Sequence, residues 1–365
     1  MKNTFGQNIA VTIYGESHGE SIGVVLDGMT AGIPVDMDFI NAQLALRRPS
    51  GKISTSRQEQ DEFRIVSGVF EGRTTGTPIC IVIPNTQTRS KDYSATRALA
   101  RPSHADYTAN CKYHGFEDYR GGGHFSGRIT AGLVAGGAIA LTALKGKGIQ
   151  IGTHIARCGA VKDREFQEIA KDIDFLKDRS FAVLDESAEI EMKQKIESVA
   201  NEGDSVGGVL ETAVIGMPAG VGEPWFDTIE GMLSHALFSI PAIKGVQFGN
   251  AFEMVDMTGS QYNDSFRMDG DKIVTATNHN GGINGGITNG MPLLFQCAVK
   301  PTPSIYKEQE TVNFFTKENA TLQIQGRHDP AIIHRARVVV DSVTALVLCD
   351  VLSGRFGTDW LYSEI

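Results

Sequence analysis

Apolar and polar positions alternate in several short stretches of this chain. Ile9 to Tyr14 alternates and is β-branched, and Ile22 to Leu26 follows the same pattern. Phe63 to Phe70, Thr77 to Pro84, Gln150 to Cys158, the apolar run ending near Met217-Pro218, and Leu293 to Val299 read as further strands. Helical spacing predicts helices over Asp36 to Leu46, Asp163 to Lys177, Asp185 to Ala200, Phe226 to Phe238 and Ala331 to Leu352. Ser103 is placed to cap a helix running to about His114, which puts His104 in its first turn. Ile129 to Leu144 is of another kind. It is rich in Ala, Leu and Val without proline, so it reads as a buried helix. The strands come in groups separated by helices without strict βα alternation, which favours α+β with largely antiparallel sheets over a doubly wound fold.

Composition narrows this picture. The chain has 365 residues and 41 glycines, so many turns and close backbone approaches are expected. No linker, tandem repeat or low-complexity segment interrupts it, and one domain spanning 1–365 is expected. The net charge of −9 disfavours non-specific nucleic-acid binding. An anionic ligand would need a local basic pocket. Cys80, Cys111, Cys158, Cys297 and Cys349 form no CxxC pair and mostly sit in apolar runs. That pattern predicts reduced, buried thiols in a cytoplasmic protein, with neither disulfide framework nor zinc site. Met1 to Gly6 lacks an apolar signal core, and no apolar run is expected to span a membrane.

The chemistry-bearing residues cluster around glycine. Arg120-Gly121-Gly122-Gly123-His124-Phe125-Ser126-Gly127-Arg128 precedes the buried helix, and two arginines bracket the glycines. Free N–H groups at that helix end attract anions, although a plain glycine turn before a core helix has the same appearance. Gly15-Glu16-Ser17-His18-Gly19 sets His18 at a hairpin tip beside a serine. Arg47-Arg48-Pro49 opens a basic, hydroxyl-rich loop reaching Arg57, suited to phosphate or carboxylate and equally to solvent. Asn278 to Gly290 is glycine-rich but leads into a strand, so it fails the context of a dinucleotide fingerprint. Lys300-Pro301-Thr302-Pro303-Ser304 ends that strand with a cation and two hydroxyls, and Gly326-Arg327-His328-Asp329-Pro330 precedes the last helix.

Taken in order with Arg101-Pro102-Ser103-His104-Ala105-Asp106-Tyr107-Thr108, Gly203 to Gly208 and Ser239 to Gly245, these motifs closely resemble the chorismate synthase family along essentially the whole chain. The resemblance implies a β-α-β sandwich, with helices between two largely antiparallel sheets, assembled as a homotetramer. It implies an anti-1,4-elimination of phosphate from 5-enolpyruvylshikimate 3-phosphate to give chorismate, dependent on reduced FMN without net redox change. By this analogy His18 serves the leaving phosphate, His104 protonates the flavin and Asp329 helps take a proton back, with Ser17 and Ser126 relaying or positioning. The flavin contacts fall on His124, Phe125, Ser126, Pro241, Ala242, Gly285, Lys300, Pro301, Thr302, Pro303, Ser304 and Arg327. Arg47, Arg48, Arg57 and Arg128 offer charge to the substrate. His124 and Phe125 stand where the family usually has an arginine and a serine, and Ser103 where glycine is typical. No inserted segment offers a nicotinamide module, so an external flavin reductase is expected and NADPH only as a reductant. A flavin- or phosphate-binding paralogue without the elimination is the alternative. No nucleic-acid or membrane partner and no metal are expected.

Overall fold

The computed structural model describes residues 2–49, 51, 53–54, 60–86, 97–324 and 328–362. Two five-stranded sheets hold the frame. The first runs, in spatial order, Thr4–Phe5, Ala10–Gly15, Ser21–Asp27, Ile79–Pro84 and Arg64–Ser67, every neighbour antiparallel. The second runs Ile243–Phe248, Leu293–Val299, Gly208–Ile215, Gln150–Cys158 and Val161–Lys162, again antiparallel throughout. Period-two burial explains the choice of face. Ile22, Val24 and Leu26 are fully buried, as are Ile79, Ile81 and Ile83 on the neighbouring strand. Leu293, Phe295, Cys297 and Val299 point inward from the second sheet.

Helices fill the space between, as the sandwich expectation required. The central helix Thr130–Gly146 lies against the first sheet, and the C-terminal helix Ile333–Phe356 lies against the second. Small residues set their approach. A Cβ on Gly132 would come within 2.9 Å of the Gly23 carbonyl oxygen, and one on Gly137 within 2.7 Å of Ser342 Cα. On the other side Asp341 accepts a bond of 2.6 Å from Thr153 of the second sheet. Gly127–Gly146 is long and apolar enough, by length and composition, to cross a membrane, which corrects the expectation that no run is. The physical reason for its apolarity is visible: 78% of its most apolar window is buried inside this protein.

Three local expectations also change. The helix expected over Asp163 to Lys177 spans only Ile169–Leu176. Asp163 is instead held by the backbone N–H groups of Leu184 and Asp185 at 2.6 and 2.9 Å and by His154. Ser103 does not cap the next helix, which is Asp106–Tyr113 with Ala105 at its N-cap position. Ser103 sits at φ 59° in the left-handed region, and His104 lies ahead of the helix. Among the cysteines, Cys158, Cys297 and Cys349 are buried, but Cys80 is only half-buried and Cys111 is exposed; all five are free thiols.

Candidate active site

The hairpin Ala10–Gly15/Ser21–Asp27 turns through Ser17 and His18, both buried. The glycine loop lies directly on them. Gly121, Gly122 and Gly123 all have positive φ, and a Cβ on Gly121 would overlap the His18 ring. Ser17 N–H donates to the Gly123 carbonyl at 3.1 Å. Ser17 Oγ is 3.2 Å from both the Arg120 and Gly121 carbonyl oxygens, and 3.0 Å from His18 Nδ1. Carbonyls only accept, so the hydroxyl proton goes to one of them and Ser17 Oγ accepts from His18 Nδ1–H. The ring nitrogen that gains and loses a proton is then Nε2.

His104 is oriented by the same logic. Its Nδ1 stands 2.8 Å from Asp106 Oδ1. Asp106 is gripped by Arg101 through Nε and Nη2, each at 2.7 Å, and through the backbone N–H at 3.0 Å. Burial alone would raise the Asp106 pKa, but the hydrogen bonds from Arg101 and His104 outweigh it and hold the carboxyl far below its usual range. Lys300 Nζ donates to the Ser103 carbonyl at 2.6 Å, tying the end of a second-sheet strand to this turn.

A cavity of about 1530 Å³ brings these groups together. Its wall carries His18, His104, Ser126 and Asp329; His124 and Phe125; Pro241 and Ala242; and Lys300, Thr302, Pro303 and Ser304. Arg47, Arg48 and Arg128 line it too. Ser17 reaches it through His18. Pro301 lies on the Lys300–Ser304 segment outside the lining, and Gly285 lies in the turn between the short strands Ile283–Asn284 and Ile287–Thr288, also outside it. Arg57 and Arg327 lie outside the described residues. One-ligand pockets are typically about 300–1,000 Å³, so this volume accommodates a substrate and a cofactor together.

Sequence reasoning missed several partners. Asp61, buried, accepts from Arg47 Nη2 at 2.9 Å and from Arg128 Nη1. Burial would raise its pKa, but the two guanidinium charges hold it below the carboxylate range. Arg120 is likewise bound to Asp118 at 2.8 Å. The two arginines bracketing the glycines are therefore each paired with a carboxylate. Arg335 Nη1 binds Asp329 Oδ2 at 2.6 Å, and Arg335 Nε donates to the Arg47 carbonyl at 2.8 Å. Asp329 is not a helix cap, since the C-terminal helix has Ile332 at its N-cap position without a side-chain bond. Burial and the nearby Arg101 charge push the His328 pKa down. Only the three-residue distance from Arg101 to His104 and the RHDP run hinted at these pairings.

Lys and Arg outnumber Asp and Glu along the cavity wall of a chain whose overall charge is −9. Five buried polar atoms on that wall have no hydrogen-bond partner among the described residues: Arg47 Nε, Arg48 Nε, Glu117 Oε2, Thr302 Oγ1 and His328 Nε2. Buried polar groups normally find partners, so the set points to a polar occupant, and its two guanidinium N–H groups call for an anionic portion. A flavin phosphate and a phosphorylated dicarboxylate suit that donor set, and Phe125, Ile240 and Val339 supply apolar wall for a ring.

Fold and site together define a protein whose two antiparallel sheets and intervening helices carry one large cavity, rich in cations and walled by two hydrogen-bonded histidines, of the kind that small-molecule enzymes use. The chorismate synthase family model matches residues 9–352. A chorismate synthase of Dehalococcoides mccartyi is 45% identical over 96% of both chains. One from Methanosarcina mazei is 45% identical over 95% of both, and one from Thermococcus kodakarensis 42% identical over 96% of this chain and 97% of its own. A solved structure titled as a chorismate synthase superposes with TM-score 0.76 at 29% identity, covering 97% of this chain and 94% of that one. The chain belongs to the chorismate synthase family, carbon–oxygen lyases of the shikimate pathway.

Proposed function

We propose that this chain converts 5-enolpyruvylshikimate 3-phosphate to chorismate by anti-1,4-elimination of phosphate, with reduced FMN bound beside the substrate. The observation that carries this reading is the pairing of His18 and His104 on one basic cavity wall, each with its Nδ1 engaged in a hydrogen bond. In the elimination a C–O bond to phosphate and a C–H bond on the opposite face break. The C–H electrons form one new double bond, the double bond already present shifts one position toward the leaving group, and the C–O electrons leave with phosphate, so the substrate is neither oxidised nor reduced overall. Bound reduced FMN would supply electron density lent to the substrate and regained within each turnover.

The residues do the rest. Arg48 and Arg57, with the net positive charge left by Arg47 and Arg128 on Asp61, balance the phosphate and carboxylates. His18 Nε2 delivers a proton to the departing phosphate, whose charge would otherwise oppose bond cleavage. His104 Nε2 holds a proton at the cofactor face, and Asp329 beside Arg335 takes a proton from that face. Ser126, His124, Phe125, Pro241, Ala242 and the Lys300–Ser304 segment seat the cofactor, with Arg327 and Gly285 completing the set in the family pattern. The enzyme works in the cytoplasm as a homotetramer supplied with reduced flavin by an external reductase.

The test is chorismate formation from 5-enolpyruvylshikimate 3-phosphate with dithionite-reduced FMN under nitrogen. Flavin binding without turnover would leave a paralogue that has lost the elimination and would overturn the proposal. With oxidised FMN, NADPH and substrate but no reductase, no sustained product is expected.

A further inference from the structure

His104 lies ahead of its helix, in a turn whose only ring hydrogen bond among the described residues is to a carboxylate two residues on. We infer that Asp106, locked by Arg101, is the positioning residue of His104: it fixes the Nδ1–H tautomer and thereby aims Nε2 at the glycine loop, where the proton is exchanged. This rests on the proposed proton-transfer role of His104, and goes beyond it by naming what sets that role.

The geometry leaves Asp106 no other part. An ionised carboxylate is acceptor-only, so Nδ1 at 2.8 Å must carry the proton. Three N–H groups of Arg101 occupy the same carboxylate, one at 3.0 Å and two at 2.7 Å. They keep it anionic, so it does not take the proton from His104 but stays a fixed charge behind the ring. Across the ring, a Cβ on Gly122 would lie 3.5 Å from both His104 Cε1 and Nε2. The Nε2 edge of the ring therefore faces the glycine loop on the cavity wall. The arrangement follows the general logic of a base oriented by a third group.

Arg101 also decides what a substitution does. In Asp106→Asn the amide oxygen takes the Oδ2 position, where two Arg101 donors (Nε–H and the backbone N–H) meet it against the single Nη2–H at the Oδ1 position. The amide NH2 then faces His104, whose Nδ1 must become the acceptor, and the ring proton moves to Nε2. In 15N-histidine-labelled enzyme with FMN bound, the His104 resonances of the wild type should show the Nδ1–H tautomer, and those of Asp106→Asn the Nε2–H tautomer. With reduced FMN, kcat should fall about 100-fold or more while KM for the substrate changes less than about threefold. Asp106→Glu, which keeps the charge, should recover part of kcat. An Nε2–H tautomer in the wild type would overturn the inference whether or not any variant folds. So would an unchanged tautomer or an unchanged kcat in Asp106→Asn. The tautomer is read without turnover, so a failure of the lyase reading itself is seen separately, as absence of chorismate in the wild type.

Discussion

Replacing Gly121 by Ala asks whether the glycine loop is built around His18 or is merely a turn. A Cβ there would overlap the His18 ring at Cε1 and Nδ1 and stand 2.8 Å from Ser17 Oγ. Ordinary carbon contacts begin near ~3.5 Å, so ring or loop must retreat by roughly 1 Å. The backbone adds its own cost, because φ at Gly121 is 59°, where a residue with a Cβ loses about 1–2 kcal/mol. Gly122→Ala separates the two effects. Its φ is 84°, but its Cβ would meet His104 only at 3.5 Å, an ordinary contact. Both variants should therefore lose similar stability, seen as a melting temperature lower by a few degrees. Displacing a proton donor by ~1 Å costs on the order of 100-fold in rate. Gly121→Ala should lose about that much in kcat, and Gly122→Ala distinctly less. The assay is anaerobic chorismate formation with saturating substrate and reduced FMN, paired with melting by circular dichroism. A Gly121→Ala enzyme within threefold of wild type, with an unmoved melting curve, would refute the steric argument.

The remaining predictions concern single groups. His18→Ala and His104→Ala should fold with near-wild-type melting yet lose about two or more orders of magnitude in turnover; a near-wild-type rate in either removes that residue from the mechanism. Asp329→Asn keeps the size of the side chain but cannot take a proton, and should slow turnover at least about tenfold; full activity would leave the Arg335 contact as its whole role. His154 is buried between Asp163 at 2.8 Å and Glu211 at 2.9 Å. Burial would lower its pKa, but the two carboxylates outweigh it and raise it. Their stabilisation is complete below the unfolded value of about 6.5 and is lost as pH climbs through the raised folded value. Melting temperature should therefore fall from near-neutral into alkaline pH, and His154→Gln should flatten that slope; an identical slope in the variant would assign it elsewhere.

Much of this protein was legible as pattern. The strand Gln150–Cys158 follows directly from its alternation, and Met37–Arg47 follows from apolar spacing behind the acidic cap Asp36. Such elements depend on which face is buried, and that is written locally in the period of the side chains. The antiparallel α+β class follows from how those elements are ordered, whereas the helices between the sheets were implied by the family resemblance. The residues that bear chemistry were visible too, because glycine beside His, Ser or Arg is a local signal.

What only the tertiary structure decided is which charges meet. Arg128 reads in sequence as an open cation, yet Asp61 lies against it from a loop 67 residues away. Asp329 shows in sequence only as part of the run ahead of the last helix, yet its carboxylate meets Arg335 on the helix wall. Ser103 reads as a cap, but the chain turns left-handed there and Asp106 is drawn to Arg101 and His104. A helix or strand is selected by neighbours a few residues apart, whereas the state of a buried charge depends on whatever the fold brings within a few ångströms. That distance is not encoded in any short stretch of sequence, and it is what turns separate histidines and arginines into one site.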